Sequence, residues 1–218
     1  MELSIPFFPN TSDDTHCFQA ALKMVLRYFL PERTYSWEEL ERMSAKKENL
    51  WTWPTAAVLN LSKTGFEVVM MESFDYERFA ERGEIYLIER CGEEVGKAQI
   101  EHSDIVQEKS FAAELVKKLP VIKKAPTFDD VERLMSENYV IVCSVNSRIL
   151  KNKRGYTSHF VVIVGLNHTI ITVHDPGLPA FPDREIQRGL FEKAWAYPSP
   201  EDKSLIAIRL PVSMDASA

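Results

Sequence analysis

The sequence has little cysteine and no long apolar run, and both absences limit what the protein does. Three cysteines, Cys17, Cys91 and Cys143, form an odd set at wide spacing. That pattern excludes a disulfide framework and a zinc ribbon, and it leaves room for a free thiol. No stretch approaches the ~20 apolar residues of a membrane span, and the N terminus lacks the features of a secretion signal. We therefore expect a soluble, cytoplasmic protein with no membrane partner.

Positive charge is also scarce. The chain carries 26 Lys and Arg against 32 Asp and Glu, which gives a net charge of -6. Because binding to a phosphate backbone needs a concentrated basic surface, we expect no nucleic-acid partner. The short basic run from Lys151 to Arg154 is interpreted as a solvated loop tip, with a substrate-contacting loop as the alternative.

The pattern of the chain predicts an α+β fold. At 218 residues and 45% hydrophobic, the chain is large enough to bury a core, and we predict a single domain over residues 1–213 with a frayed tail at 214–218. Helices are predicted at 13–30, 36–43, 54–63, 76–82, 103–119, 127–137 and 183–194, and strands at 66–71, 84–89, 139–145, 159–166, 169–174 and 204–210. Helices early and strands late indicate N-terminal helices packed on a largely antiparallel sheet.

Cys17 is the most informative residue because of its position. Three residues able to cap a helix, Asp13, Asp14 and Thr15, precede the apolar periodicity, so Cys17 is predicted to lie in the first turn. Unpaired N–H groups and the helix dipole favour a thiolate there. Cys143, inside an apolar strand, is predicted to be a core residue, and Cys91 an ordinary loop or strand-end thiol.

Two residues downstream are suited to assist a thiolate. His159 opens one predicted strand, Asp175 ends the next, and a hairpin turn between them would bring the two to one edge of the sheet. A nucleophilic cysteine needs a base and a group that orients the base, and these residues can fill both roles. Taken singly, each has a simpler explanation: a buried small side chain at Cys17, a backbone-bonded ring at His159 and a turn residue at Asp175.

The remaining histidines do not predict a metal site. His168 lies in the predicted turn, and His174 would point away from Asp175 on the strand. We therefore expect no metal ligand and no cofactor.

In these pieces the chain resembles the papain-like cysteine peptidases, and within them the bacteriocin-leader-processing branch. The matching segments are Cys17 at a helix start, the helix from Ser36, residues 52–65 before a strand, residues 128–145, and residues 158–165 with Asp175-Pro176. The resemblance implies a papain-like fold with Cys17 as nucleophile, His159 as base and Asp175 as the residue that orients it. Residues 74–120 are interpreted as a family-specific insertion.

The chain departs from the family pattern at two positions. The family usually carries Gln six residues before the nucleophile as an oxyanion donor, but Thr11 stands there, with Asn10 beside it. Gly commonly follows the cysteine, and Phe18 takes that place. Asn10 and Thr11 are therefore the candidate oxyanion residues, with the Cys17 backbone N–H as a further donor.

The sequence predicts a thiol hydrolase that cleaves a peptide or peptide-like amide through a Cys17 thioester. Two alternatives stay open: a weak or inactive papain-like module that binds a peptide or small molecule, and an acyltransferase that uses the same thioester. The expected partner is a peptide or small amide substrate. The sequence does not identify that substrate or the oligomeric state.

Overall fold

A computed structural model describes residues 2–211 of the chain, in which helices precede most of the strands. The helices are α1 Cys17–Phe29, α2 Trp37–Ser44, α3 Thr55–Lys63, α4 Tyr76–Arg82, α5 Glu84–His102, α6 Ile105–Lys118, α7 Phe128–Ser136, α8 Ser147–Leu150 and α9 Arg188–Trp195. The strands are β1 Glu67–Glu72, β2 Val121–Ile122, β3 Val140–Asn146, β4 Ser158–Leu166, β5 Ile170–Asp175, β6 Phe181–Gln187 and β7 Ser204–Arg209. Across residues 2–211, no helix combines the length and apolar character needed to cross a membrane.

The strands form one mixed sheet in the order β2-β1-β7-β3-β4-β5-β6. Every neighbouring pair is antiparallel except β1 and β2, which run parallel. The prediction of an α+β fold with a largely antiparallel sheet is therefore confirmed.

Side chains alternate along the central strands and so build a core on each face of the sheet. Val140 and Val142 of β3 face the core that holds α1 to α3, whereas Ile141 and Cys143 face the opposite core, which holds α7 and α9. The predicted core position of Cys143 is confirmed, since its side chain is fully buried. Helix α1 packs on β4, where the rings of Phe18 and Phe160 lie 4.8 Å apart.

The predicted strand at 84–89 is wrong, because these residues begin α5. Tyr86 and Leu87 are buried against the helical core, and packing there outweighs the strand preference of the local sequence. Cys91 is consequently in a helix and not in a loop or at a strand end. Gly92, with φ of 77°, interrupts the regular helix one residue later.

The predicted helix at 183–194 is wrong in its first half. Residues up to Gln187 form β6, the edge strand that pairs with β5, and only Arg188–Trp195 is helical. The predicted frayed tail at 214–218 and the end of the predicted 1–213 domain lie outside the described residues.

Candidate active site

Helix α1 begins at Cys17 and holds this residue at its open N-terminal end. The N-cap is His16, and no side chain caps the helix, so the predicted capping role of Asp13, Asp14 and Thr15 is wrong. The loop before the helix is instead fixed by Asn10, whose Oδ1 accepts hydrogen bonds from the backbone N–H groups of His16 (2.7 Å) and Thr11 (2.9 Å). The predicted place of Cys17 in the first turn is confirmed.

Strands β4 and β5 bring His159 and Asp175 into contact. The Nε2 atom of His159 lies 2.7 Å from Oδ1 of Asp175, and both side chains are buried. The same Oδ1 accepts the backbone N–H of Gly177 at 3.0 Å, and Oδ2 accepts Nη1 of Arg184 at 2.6 Å. Three donors therefore fix the Asp175 carboxylate in one orientation beside the imidazole.

The other side of the imidazole meets Cys17. Burial by itself raises the pKa of the Cys17 thiol, but hydrogen bonding and charge from His159, together with the backbone N–H of Phe160, outweigh burial and lower this pKa. Because Nε2 is bonded to Asp175, Nδ1 is the ring nitrogen left to face the sulfur. The three residues thus form a chain of contacts from thiol to ring to carboxylate.

The two partners of this chain shift in the directions that an ion pair requires. Burial opposes a charged ring, yet hydrogen bonds to Asp175 and Cys17 raise the pKa of His159 to about 10. Burial likewise opposes the carboxylate, but its bond to His159 leads the interactions that lower the pKa of Asp175 to about 2. At neutral pH the arrangement favours a thiolate and an imidazolium held by a carboxylate.

A cleft of about 120 Å³ opens in front of Cys17 and His159. Gly177 also lines this cleft, next to His159 and Asp175. A Cβ atom at this position would come within 3.0 Å of Asp175 Oδ1 and 3.2 Å of His159 Cε1. Only glycine therefore leaves the ring and carboxylate undisturbed.

Asn10 and Thr11, the candidate oxyanion residues, contact the loop before α1 and not the cleft. The amide nitrogen of Asn10 donates to Asp14 Oδ1 at 2.8 Å, and the Thr11 hydroxyl bonds Asp13 Oδ1 and His16 Nδ1 at 2.5 and 2.7 Å. Neither residue is among those that line the cleft. The structure thus brings Cys17, His159 and Asp175 together but does not bring Asn10 and Thr11 to them.

Two other histidines, His16 and His174, have structural partners. His16 Nε2 lies 2.7 Å from Glu41 Oε1, and His174 Nε2 bonds the backbone carbonyl of Ile5 at 2.8 Å. Over residues 2–211, no three metal-binding side chains lie close enough together to hold an ion.

Sequence reasoning missed three groups that shape the site. The predicted helix at 183–194 includes Arg184, but this residue lies in β6, which carries it to Asp175. Gly177 follows the predicted turn residue Asp175, but the sequence does not indicate that it lies close to His159. The backbone N–H of Phe160 cannot be inferred from side-chain patterns. Arg184 follows Asp175 by nine residues, and this spacing indicates an ion pair only if the two residues are known to lie on paired strands.

Comparison with known proteins places this geometry in a recognised architecture. The peptidase domain of Streptococcus ComA, a bifunctional ABC transporter involved in quorum sensing, superimposes with a TM-score of 0.51 over 94% of this chain and 98% of that one, at 14% identity. The chain has the papain-like cysteine-peptidase fold. The resemblance found in the sequence is thereby confirmed for the fold.

Other comparisons add little to this fold assignment. A Bacillus anthracis protein described as a C39-like peptidase is similar over 48% of this chain and 57% of that one, with a TM-score of 0.32 and 15% identity. No protein-family profile matches the chain, and no curated protein matches its sequence.

Proposed function

We propose that this protein is a thiol hydrolase that cleaves a peptide or peptide-like amide through a thioester on Cys17. The observation that carries the proposal is the position of His159, whose ring bonds Asp175 Oδ1 at 2.7 Å, lines the same cleft as Cys17 and lowers the pKa of the Cys17 thiol. A buried ring held between a carboxylate and a thiol is the arrangement that activates a cysteine nucleophile.

The reaction proceeds in two steps. The Cys17 thiolate attacks the amide carbonyl carbon, and the C–N bond breaks as the His159 imidazolium gives its proton to the leaving amine. His159, now neutral, then takes a proton from water, whose oxygen attacks the thioester. The acid is released and the thiolate–imidazolium pair returns. Asp175 stabilises the imidazolium throughout and holds the ring in place.

The oxyanion of each step needs hydrogen-bond donors. The backbone N–H groups of Cys17 and Phe18 lie in the first turn of α1, where helical residues have no intrahelical acceptor. They are the donors we propose. A missing side-chain donor typically costs about 2.7–4 kcal/mol of transition-state stabilisation, so slow turnover is expected.

The test is to trap the thioester. A panel of small esters and peptide amides would be incubated with the protein, quenched in acid and digested, and the mass of each cysteine peptide measured. We expect an acyl adduct on Cys17 in the wild type, and its loss with turnover in Cys17→Ala. Cys91→Ala is the matched control and should keep both. A turnover rate that survives Cys17→Ala would refute the proposal.

A second candidate, a papain-like binding module without turnover, is favoured by the contacts of Asn10. Its amide donates to Asp14, so it does not replace the family's glutamine as an oxyanion donor. Ligands that protect Cys17 from alkylation, with no adduct and no turnover on any substrate, would select this candidate. The hydrolase needs a reduced thiol, in keeping with the cytoplasmic location that we propose.

A further inference from the structure

A second, larger cavity of about 150 Å³ adjoins the cleft in front of Cys17. We call it the aromatic pocket. Trp51, Thr52, Ser158 and Phe160 line both spaces, so the pocket and the cleft share part of their walls. This closeness puts the aromatic pocket within reach of a substrate side chain next to the bond attacked by Cys17.

Aromatic side chains form a large part of the pocket wall. Eight rings contribute to it, from Trp51, Trp53, Phe74, Tyr76, Tyr156, Phe160, Trp195 and Tyr197. Their packing fixes them: Trp53 stacks on Phe79 at 5.0 Å between ring centres, and Tyr156 stacks on Tyr197 at 5.7 Å. Rigid ring faces suit an alkyl chain, and they also attract a cation.

The charges that line the pocket do not balance. The guanidinium of Arg90 is taken by Asp202 Oδ1 at 2.8 Å and by the backbone carbonyl of Glu201 at 2.9 Å. Lys203 pairs with Glu192 at 2.9 Å. The two cations of the wall are therefore already occupied.

Among the described residues, two carboxylates of the wall lack a cationic partner: Glu201, which is exposed, and Glu72, which is half-buried. The Oε1 atom of Glu72 accepts a hydrogen bond from the Tyr76 hydroxyl at 2.9 Å, and within residues 2–211 no Lys, Arg or His nitrogen pairs with it. Burial raises the pKa of Glu72 to about 7, against smaller lowering effects from Tyr76 and the charge of Arg90. A buried carboxylate without a counter-ion is costly, and a cation brought by a ligand would offset that cost.

We propose that the aromatic pocket binds a cationic side chain of the substrate, of the lysine or arginine type, with its alkyl stem against the aromatic rings and its charge at Glu72. This inference depends on the proposed function in that it places the bound residue beside the bond attacked by Cys17. It adds a substrate class, peptides with a basic residue near the cleavage point.

The experiment compares peptidyl chloromethyl ketones that carry either lysine or norleucine at each position in turn. Norleucine keeps the unbranched stem and lacks the ammonium group. We expect the lysine probe to alkylate Cys17 roughly tenfold faster at one position. Glu72→Gln, which keeps an acceptor for Tyr76, should remove that advantage.

Glu67→Gln is the matched control for Glu72→Gln. Glu67 lies on the same strand, but its carboxylate pairs with Arg209 outside the pocket, so the lysine advantage should persist. Equal alkylation by the lysine and norleucine probes at every position would overturn the inference and leave the proposed function intact. If Glu72→Gln melts far below the wild type, its alkylation rates cannot be interpreted. The rates of the lysine and norleucine probes on the wild type then decide whether the pocket prefers a cation.

A binding measurement separates the two proposals if no probe reacts with Cys17. The tryptophan fluorescence of Cys17→Ala would be titrated with acetyl-lysine methylamide and with acetyl-norleucine methylamide, because Trp51 and Trp53 line the pocket. A saturable change with the lysine compound alone, lost in Cys17→Ala combined with Glu72→Gln, supports the pocket even where hydrolysis fails. The same response to both compounds, or none, refutes it.

Discussion

Replacing His159 by Ala should slow alkylation of Cys17 most strongly below neutral pH. In the wild type, His159 and the Phe160 N–H lower the pKa of the Cys17 thiol, and the paired imidazolium persists because the His159 pKa is raised to about 10. Without the imidazole ring, burial becomes the main effect on the pKa of the Cys17 thiol, and burial raises it. An ordinary thiol of pKa ~8.5 is thiolate in only about one molecule in 300 at about pH 6.

The expected loss of rate is smaller than that ratio. A thiolate of lower pKa is also a weaker nucleophile, with a Brønsted coefficient of about 0.4–0.5, which offsets part of the gain in thiolate. We therefore expect His159→Ala to slow alkylation by roughly 10- to 100-fold at about pH 6 and by much less near pH 9. The wild-type rate should depend less steeply on pH than the variant rate, because the pKa of the Cys17 thiol is lowered only when His159 is present.

The assay is iodoacetamide labelling across pH, read by mass spectrometry at each cysteine. Cys91 and Cys143 are internal controls, since burial raises the pKa of Cys91 to about 12 and raises that of Cys143 as well. Asp175→Asn should give an intermediate loss, because the amide leaves the ring free to hold the wrong tautomer. Equal labelling of Cys17 and Cys91, with no response to His159→Ala, would refute the activated thiol.

Three further changes test the parts of the site and of the pocket's surroundings. Gly177→Ala should slow Cys17 alkylation, because the added methyl group would lie 3.0 Å from Asp175 Oδ1. The control Gly189→Ala, which has open space around it, should leave the rate unchanged. An unchanged rate in Gly177→Ala as well would contradict the tight fit. Arg184→Met should lower both the melting temperature and the alkylation rate, because Asp175 loses the 2.6 Å partner of its second oxygen. Glu108→Gln should flatten the pH dependence of the free energy of unfolding. Burial raises the pKa of Glu108 to about 7, so the folded state holds an extra proton and the stability present below about pH 4.5 is lost as pH rises to about 7. Between these pH values the wild type should lose up to about 3 kcal/mol of its free energy of unfolding, measured with urea. If Glu108→Gln loses the same amount, Glu108 is not the group responsible.

The contact between His159 and Asp175 was predictable because the pattern of one hairpin determines it. A β-branched run from His159 and a second run ending at Asp175 have lengths that suit a hairpin, and strand pairing then brings the two side chains to one edge. The N–H groups at a helix start are equally local, so the place of Cys17 in the first turn followed from the apolar periodicity. Each of these features depends on one helix start or on one pair of consecutive strands.

The missed features depend on partners distant in the chain. Residues 183–194 have apolar side chains at helical spacing, Ile186, Leu190, Phe191 and Ala194, yet the first part pairs with β5 as an edge strand. The spacing of apolar residues does not show whether a neighbouring strand is available for pairing. For the same reason, Asn10 was a reasonable oxyanion candidate by its distance from Cys17, but its side chain is fully engaged in the loop that precedes α1.

Strand β4 links the candidate chemistry to the proposed specificity through three consecutive residues. Ser158 and Phe160 line both the cleft and the aromatic pocket, and His159 between them bonds Asp175. Their register is fixed by β3, where Val145 lies opposite His159 and Ser144 opposite Phe160. A change in β4 that shifts this register would move base and pocket wall together, so a loss of activity there would not distinguish one from the other. Substitutions on other elements distinguish the two, because a change of Cys17 on α1 affects only the proposed chemistry and a change of Glu72 on β1 affects only the aromatic pocket.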